Sequence, residues 1–288
     1  MFSKVYNIGD VLIQVNTPID YVSREPYSKF LCEAPDCDIK YNFVFADTLP
    51  ALDAKHIFSD DNTRIVTDGE FVYRYISHFI LESKSFFEYA CIKEPIDCKG
   101  EYTVFILEKY GLNLFESLVF GVLCIDHSLA QKGAVILHSS YIVYKSQAIL
   151  FTAPKQTGKS TQARLWEKYK GARIINGDRS LIRMKNNMPY AYGLPYAGTS
   201  KICLNEEHPL GAVVLLGQSQ HNSVKKLSGV DAFKAIYKNI WLNTWCKYDV
   251  SAVTELTAAI ANDLSVFRLD CLPDEEAVSI LASAFDKL

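Results

Sequence analysis

The stretch Ala148-Ile-Leu-Phe-Thr-Ala-Pro-Lys-Gln-Thr-Gly-Lys-Ser-Thr161 decides how the chain is read. Residues 148–152 are apolar or β-prone and predict a strand; residues 153–159 are a loop; residues 160–169 predict a helix with Ala163, Leu165 and Trp166 available for packing. Inside this strand–loop–helix lies Ala153-x4-Gly158-Lys159-Ser160, a Walker A pattern with its first glycine replaced by alanine. Loop N–H groups and the first helical turn converge on a polyphosphate, aided by the helix dipole. Lys159 is placed to neutralise phosphate oxygens, Ser160 to ligate Mg²⁺, and Gly158 to let the backbone approach the phosphates. Ala153, Thr157 and Thr161 complete the expected phosphate-binding set. The tripeptide Gly-Lys-Ser alone is common by chance; the strand before it and the helix after it give the pattern its weight. Pro154 offers no N–H, and Lys155 and Gln156 are bulkier than the usual loop residues.

Working outward, strands are predicted over 134–144, 173–176, 180–184, 210–216 and 266–269, with turns at Lys145-Ser146-Gln147 and Asn186-Asn187. Ser228, with Asp231 three residues on, opens a helix in capping-box style, and Pro273-Asp274-Glu275-Glu276 opens the last one. Mixed strands and helices make this region α/β or α+β. Asp178 follows Ile174-Ile175 and so emerges at a strand end beside the loop. It is either a metal-holding acid and base for phosphoryl transfer or a turn aspartate in Asn-Gly-Asp. His138 shares its strand face with Ile136 and Ser140, as a site residue or as a hydrogen-bonded structural histidine. Arg179 and Arg183 are candidate phosphate contacts or solvated strand-edge arginines. Trp241 and Trp245, four apart, read as helix-face core packing.

Residues 1–110 show short runs rich in Val, Ile, Phe and Tyr over 11–15, 41–45, 64–66, 71–76, 86–92 and 102–107, an antiparallel β pattern with Thr67-Asp68-Gly69 as a turn. Residues 112–129 read as one mostly buried helix. Two domains are expected, 1–130 and 131–288, and the charge agrees. Residues 1–130 carry 11 basic and 20 acidic side chains, whereas residues 131–288 carry 19 and 13. Residues 145–185, around the loop, hold ten basic side chains and two acids. The overall net charge of −3 excludes a nucleic-acid wrapper or a polybasic membrane binder. The eight cysteines include no Cys-x-x-Cys pair and read as reduced core thiols of a cytoplasmic protein. No zinc spacing, spanning helix or signal peptide is read.

Three segments then fall in a suggestive order: Leu137-His138-Ser139-Ser140, the loop, and Ile174-Ile175-Asn176-Gly177-Asp178-Arg179. This order resembles the HPr kinase/phosphorylase and ATP-dependent phosphoenolpyruvate carboxykinase superfamily, and most of all its serine-kinase-like members. Tyr192-Gly-Leu-Pro-Tyr-Ala-Gly-Thr199 is similar to the family's Gly-x-Pro-Trp-x-Gly segment. The family loop commonly reads Gly-x-Ser-Gly-x-Gly-Lys-Ser/Thr, where this chain has Ala153, Lys155 and Gln156. The resemblance covers about residues 112–288. It implies an N-terminal mostly antiparallel β domain followed by a P-loop domain with a mixed sheet.

The resemblance further implies an ATP- and Mg²⁺-dependent kinase acting on a hydroxyl, with Asp178 as base toward the acceptor and as metal ligand beside Ser160, and with His138 near the phosphates. The acceptor it implies is a serine, free or within a peptide or protein. Nucleic acid and membrane are not expected as partners, and the resemblance is compatible with a homo-oligomer. A rival reading, motivated by the altered loop, is a nucleotide-sensing or peptide-binding partner protein without catalysis.

Overall fold

The computed structural model describes residues 1–81, 84–96 and 101–287. The chain divides into two compact units, Met1–Ser128 and Leu129–Leu288.

The first unit is built on one nine-stranded sheet. Its strands are β1 (Phe2–Asn7), β2 (Leu12–Thr17), β3 (Leu31–Cys32), β4 (Ile39–Ala46), β5 (Lys55–Ser59), β6 (Thr63–Thr67), β7 (Phe71–Ile80), β8 (Ser85–Pro95) and β9 (Glu101–Leu107), ordered β3-β1-β2-β4-β9-β8-β7-β6-β5. Pairing is antiparallel except at β2–β4 and β4–β9. Alternation explains the burial: β2 hides Ile13, Val15 and Thr17 and leaves the residues between them partly open. The Asp68-Gly69 turn closes β6 on β7, with Asp68 Oδ1 accepting the N–H groups of Glu70 (3.0 Å) and Phe71 (2.7 Å).

Three helices follow: α1 (Glu108–Gly111), α2 (Glu116–Val122) and α3 (Ile125–Ala130). The single helix expected over 112–129 is therefore two. Cys124 sits at φ 48°, a left-handed conformation that no right-handed helix passes through. Apolar residues on more than one stripe are here the mark of two short helices with separately buried faces.

The second unit holds β10 (Ala134–Tyr144), β11 (Gln147–Thr152), α4 (Lys159–Lys170), β12 (Arg173–Asn176), β13 (Arg179–Lys185), β14 (Met188–Gly193), β15 (Glu207–Gln218), β16 (Ser223–Leu227), α5 (Gly229–Tyr237), α6 (Lys247–Asp263), β17 (Ser265–Cys271) and α7 (Glu275–Phe285). The strands form an eight-stranded mixed sheet in the order β11-β10-β13-β14-β15-β17-β16, with β12 also on β10 and β11 also on β15. Strand β10 changes partner midway: residues 134–138 pair with β13, residues 139–144 with β11. Two-residue turns at Lys145-Ser146 and Asn186-Asn187 have φ of 50°, 62°, 51° and 61°, the mirror-image geometry that suits the twist of a hairpin.

Strands β11, β15 and β17 run parallel. The continuous apolar run in β15 reflects that central place, with a core on each face. One core gathers Ile142, Phe151, Val214 and Leu281 around the fully buried Trp166 of α4. The other sets Leu137, Val213 and Val266 against Ile236 of α5 and Val253 and Ile260 of α6.

At α5 the Ser228 side chain makes no capping bond; its backbone carbonyl receives the N–H of Asp231 at 3.2 Å instead. Asp274 does cap α7, its Oδ1 accepting the Ala277 N–H at 2.9 Å. Trp241 and Trp245 lie between α5 and α6, not on a helix face as expected, and Trp241 is 45% exposed. Among the described residues no helix is long and apolar enough to cross a membrane, and no disulfide joins the cysteines; Cys98 lies outside them.

Candidate functional site

The site begins where β11 ends. Parallel strands flanked by helices leave their carboxyl ends open to solvent, and the β11–α4 loop turns there. The loop is set by two left-handed residues, Gln156 at φ 63° and Gly158 at φ 111°. A Cβ on Gly158 would meet nothing within 4 Å, so glycine serves this backbone conformation and keeps the surface open. Gln156 holds a conformation natural to glycine, at a cost of about 1 kcal/mol. Gly158 caps α4 without a side chain, so the first-turn N–H groups of Lys159, Ser160 and Thr161 have no intrahelical acceptor. Ala153 faces inward, fully buried in the core around Trp166.

Lys159 is buried, and its ammonium donates to the carbonyls of Ala153 (2.9 Å) and Pro154 (3.1 Å). Burial pushes its pKa down, and Asp178 opposes that shift. The Ser160 hydroxyl donates to the Gly177 carbonyl at 3.4 Å, tying the start of α4 to the β12–β13 turn. That turn is an Asx structure built by the fully buried Asn176. Its Oδ1 accepts the N–H groups of Asp178 (2.9 Å) and Arg179 (3.1 Å), and its Nδ2 donates to the Leu194 carbonyl (2.8 Å). Asn-Gly-Asp is thus the turn its composition predicts, and Asp178 is carried on it.

His138 comes from β10, opposite the end of β11, where Thr152 Oγ1 donates to its carbonyl at 2.9 Å. Its Nε2 lies 3.7 Å from Asp178 Oδ1. Burial and then the Lys159 charge push the imidazole below its ordinary pKa of 6.5, with Arg179 and Lys155 adding to the effect and Asp178 opposing it. These effects favour the neutral ring, whose unprotonated nitrogen can accept a hydrogen bond.

A cleft of about 420 Å³ gathers these groups: Gly158, Lys159, Ser160 and Thr161 on one side, His138 and Asp178 on the other. Ala153 and Thr157 do not line it; Thr157 Oγ1 donates to the Pro154 carbonyl at 3.0 Å. A neighbouring cleft of about 590 Å³ shares His138, Lys155 and Asp178 and adds Arg179 and Trp241. Arg183 and Lys201 line neither, and Arg268 is paired with Asp270 at 2.7 Å.

Two contributors escaped the sequence reading, Asn176 and Trp241. Asn176 was visible in its tripeptide only as turn composition. Gly198 belongs to the segment 195–199 that the resemblance puts in a loop near the acceptor; it lies against Asp178, where a Cβ would come within 2.7 Å of the aspartate Cβ. Trp241 sits over Arg179, 4.1 Å from its guanidinium, because residues 239–241 run beside β10. His138 N–H donates to the Asn239 carbonyl and Trp241 N–H to that of Ile136.

No protein-family model and no curated protein matches the sequence. Among solved structures, the HPr(Ser) kinase/phosphatase from Coxiella burnetii overlaps 53% of this chain and 95% of its own, at 10% identity and a TM-score of 0.32. An overlap this loose carries no argument; the functional reading rests on the site.

Proposed function

We propose that this protein is a phosphotransferase that moves the γ-phosphoryl group of ATP to a serine hydroxyl, free or in a peptide or protein. One observation carries the reading: a Gly-Lys-Ser loop at a helix N-terminus, a carboxylate and an imidazole face one cleft. The loop N–H groups and Lys159 hold the phosphates. Ser160 and Asp178 offer hard oxygen donors that suit Mg²⁺, which would neutralise charge on the β- and γ-phosphates. Asp178 accepts the acceptor's hydroxyl proton while that oxygen bonds to the γ-phosphorus. The bond from phosphorus to the β–γ bridging oxygen breaks, and ADP leaves. His138 accepts a hydrogen bond beside the transferring group. The domain division at about residue 130 and a homo-oligomeric state belong to the same proposal.

The test is transfer from γ-labelled ATP to serine, serine peptides and proteins by the purified chain and by Asp178→Asn. Transfer by the wild type that the variant lacks supports the reading; no transfer to any acceptor sinks it. A second reading, a nucleotide-sensing partner without catalysis, has its own support. Pro154 lacks an N–H, Gln156 is strained, and Lys159 is engaged by the loop's own carbonyls. It predicts that Asp178→Ala keeps the biological role.

A further inference from the structure

In the first unit, β7 and β8 run on together past the strands that flank them. Strand β6 accompanies β7 only as far as Ile76, and β9 accompanies β8 only from Ala90 onward. Beyond that line Ser77, His78, Phe79 and Ile80 pair with Glu88, Phe87, Phe86 and Ser85 as a two-stranded ribbon. An isolated ribbon is marginal in water, so its faces need cover. One face has it: Tyr110 Oη lies 3.2 Å from His78 Nε2, and the Lys109 ammonium stands 4.5 Å from the centre of the Phe87 ring, both from α1. The other face does not. Phe79 and Phe86, with ring centroids 5.2 Å apart, are 47% and 44% exposed, and Leu81, two residues on from Phe79, is 78% exposed. Toward the sheet, the bidentate Arg64–Glu88 pair (2.6 and 2.8 Å) lies over the Tyr75 ring and separates this patch from the buried Tyr73 and Tyr75.

We infer that this face is a dimer surface and that its occupant is the same face of a second copy of this chain. Two-fold packing needs a self-complementary patch. A ribbon laid antiparallel on its twin, about 10 Å away, sets aromatic against aromatic and brings the end of one over the base of the other. The charges fit that arrangement. Lys84 is exposed at the far end, whereas the exposed Asp60 and Asp61 sit at the base, where the Asn62 carbonyl accepts the Ser77 N–H at 2.8 Å. Each copy thus offers its cation to the other's acids. A lipid surface suits the patch less, because residues 1–130 carry 20 acidic against 11 basic side chains and anionic headgroups repel them. At about 200 Å² per aromatic side chain, the three apolar residues contribute about 300 Å² per copy. Twice that is about half the lower bound of a standard interface, so the dimer is reversible, with Kd on the order of 10 μM. Such a dimer gives a surface to the homo-oligomeric state proposed above and does not depend on phosphoryl transfer.

Sedimentation equilibrium of the full chain without nucleotide, over about 1–200 μM, measures the dimer. The double variant Phe79→Ser, Phe86→Ser changes two exposed positions and raises Kd at least about tenfold with Tm unchanged. If it does not fold, Leu81→Ser alone weakens the dimer by a smaller factor. Lys84→Glu raises Kd about three- to tenfold, because two-fold symmetry repeats the ion pair, and adding Asp61→Lys restores the wild-type value. A monomer throughout, a dimer indifferent to the two serines, or no restoration by Asp61→Lys overturns the inference. So does flotation with phosphatidylserine vesicles by a chain that stays monomeric, which assigns the patch to a membrane. The two readings fail separately. A monomer that transfers phosphate removes the dimer and keeps the kinase, and a dimer that binds no Mg·ATP does the opposite.

Discussion

Gly198→Ala tests whether the placement of the Asp178 carboxylate matters. Gly198 has φ 54°, and a Cβ there would lie 2.7 Å from Asp178 Cβ, 2.9 Å from Cγ and 3.2 Å from Oδ1. Ordinary carbon contacts begin near 3.5 Å, so one group must move by about 1 Å. The Asp178 backbone is held, its N–H by Asn176 Oδ1 and its carbonyl by the Ser139 N–H at 3.1 Å, so the clash is relieved by turning the carboxylate away from its place in the cleft. Displacement of a reacting group by that much costs about 100-fold in rate. The left-handed alanine costs a further 1–2 kcal/mol or so in stability, and each kcal/mol lowers Tm by about 2–4 °C in a unit of this size. The expected result is kcat for transfer down about 100-fold with Mg·ATP affinity within about twofold of wild type. Stopped-flow or quenched-flow transfer and calorimetric titration read the two quantities. A folded Gly198→Ala protein with wild-type kcat would refute the argument that Asp178 is the base.

Other outcomes follow from neighbouring residues. Gln156→Gly relieves the left-handed strain and, after the added chain entropy of glycine, raises stability by about 0.5 kcal/mol, checked by denaturant melts. Asn176→Ala leaves two turn N–H groups and the Leu194 carbonyl without their partner, lowers stability by about 2–3 kcal/mol and cuts transfer, checked by melts and rates together. His138 has a folded pKa below its unfolded value of 6.5. The folded state thus binds fewer protons, and stability is lost as pH falls from that value through the folded pKa. Wild-type Tm should therefore drop more between pH 7 and pH 5 than that of His138→Gln.

Much of the second unit is legible along the chain because its signals are local. The strand–loop–helix around Gly158-Lys159-Ser160, the β10 strand carrying His138 and the turn carrying Asp178 need only short windows. What stayed hidden depends on tertiary contact. Trp241 reaches the site through backbone bonds to β10, formed across about a hundred residues. Strand β16 exposes Lys225 and Lys226 and pairs only with β17, so it shows no apolar alternation. Helix α6 buries small or branched residues, Val253, Thr257 and Ala261 among them, which leave a faint stripe. The break at Cys124 is a backbone conformation, for which a cysteine gives no compositional sign.

Direct binding of Mg·ATP, by calorimetry on the wild type and on Lys159→Met, tests the central claim that the β11–α4 loop is a polyphosphate site. Saturable binding that Lys159→Met weakens by at least tenfold, with an unchanged fold, is the predicted result, from the loss of charge-assisted contacts to phosphate. No measurable binding by the wild type, or equal affinity in both proteins, would contradict it.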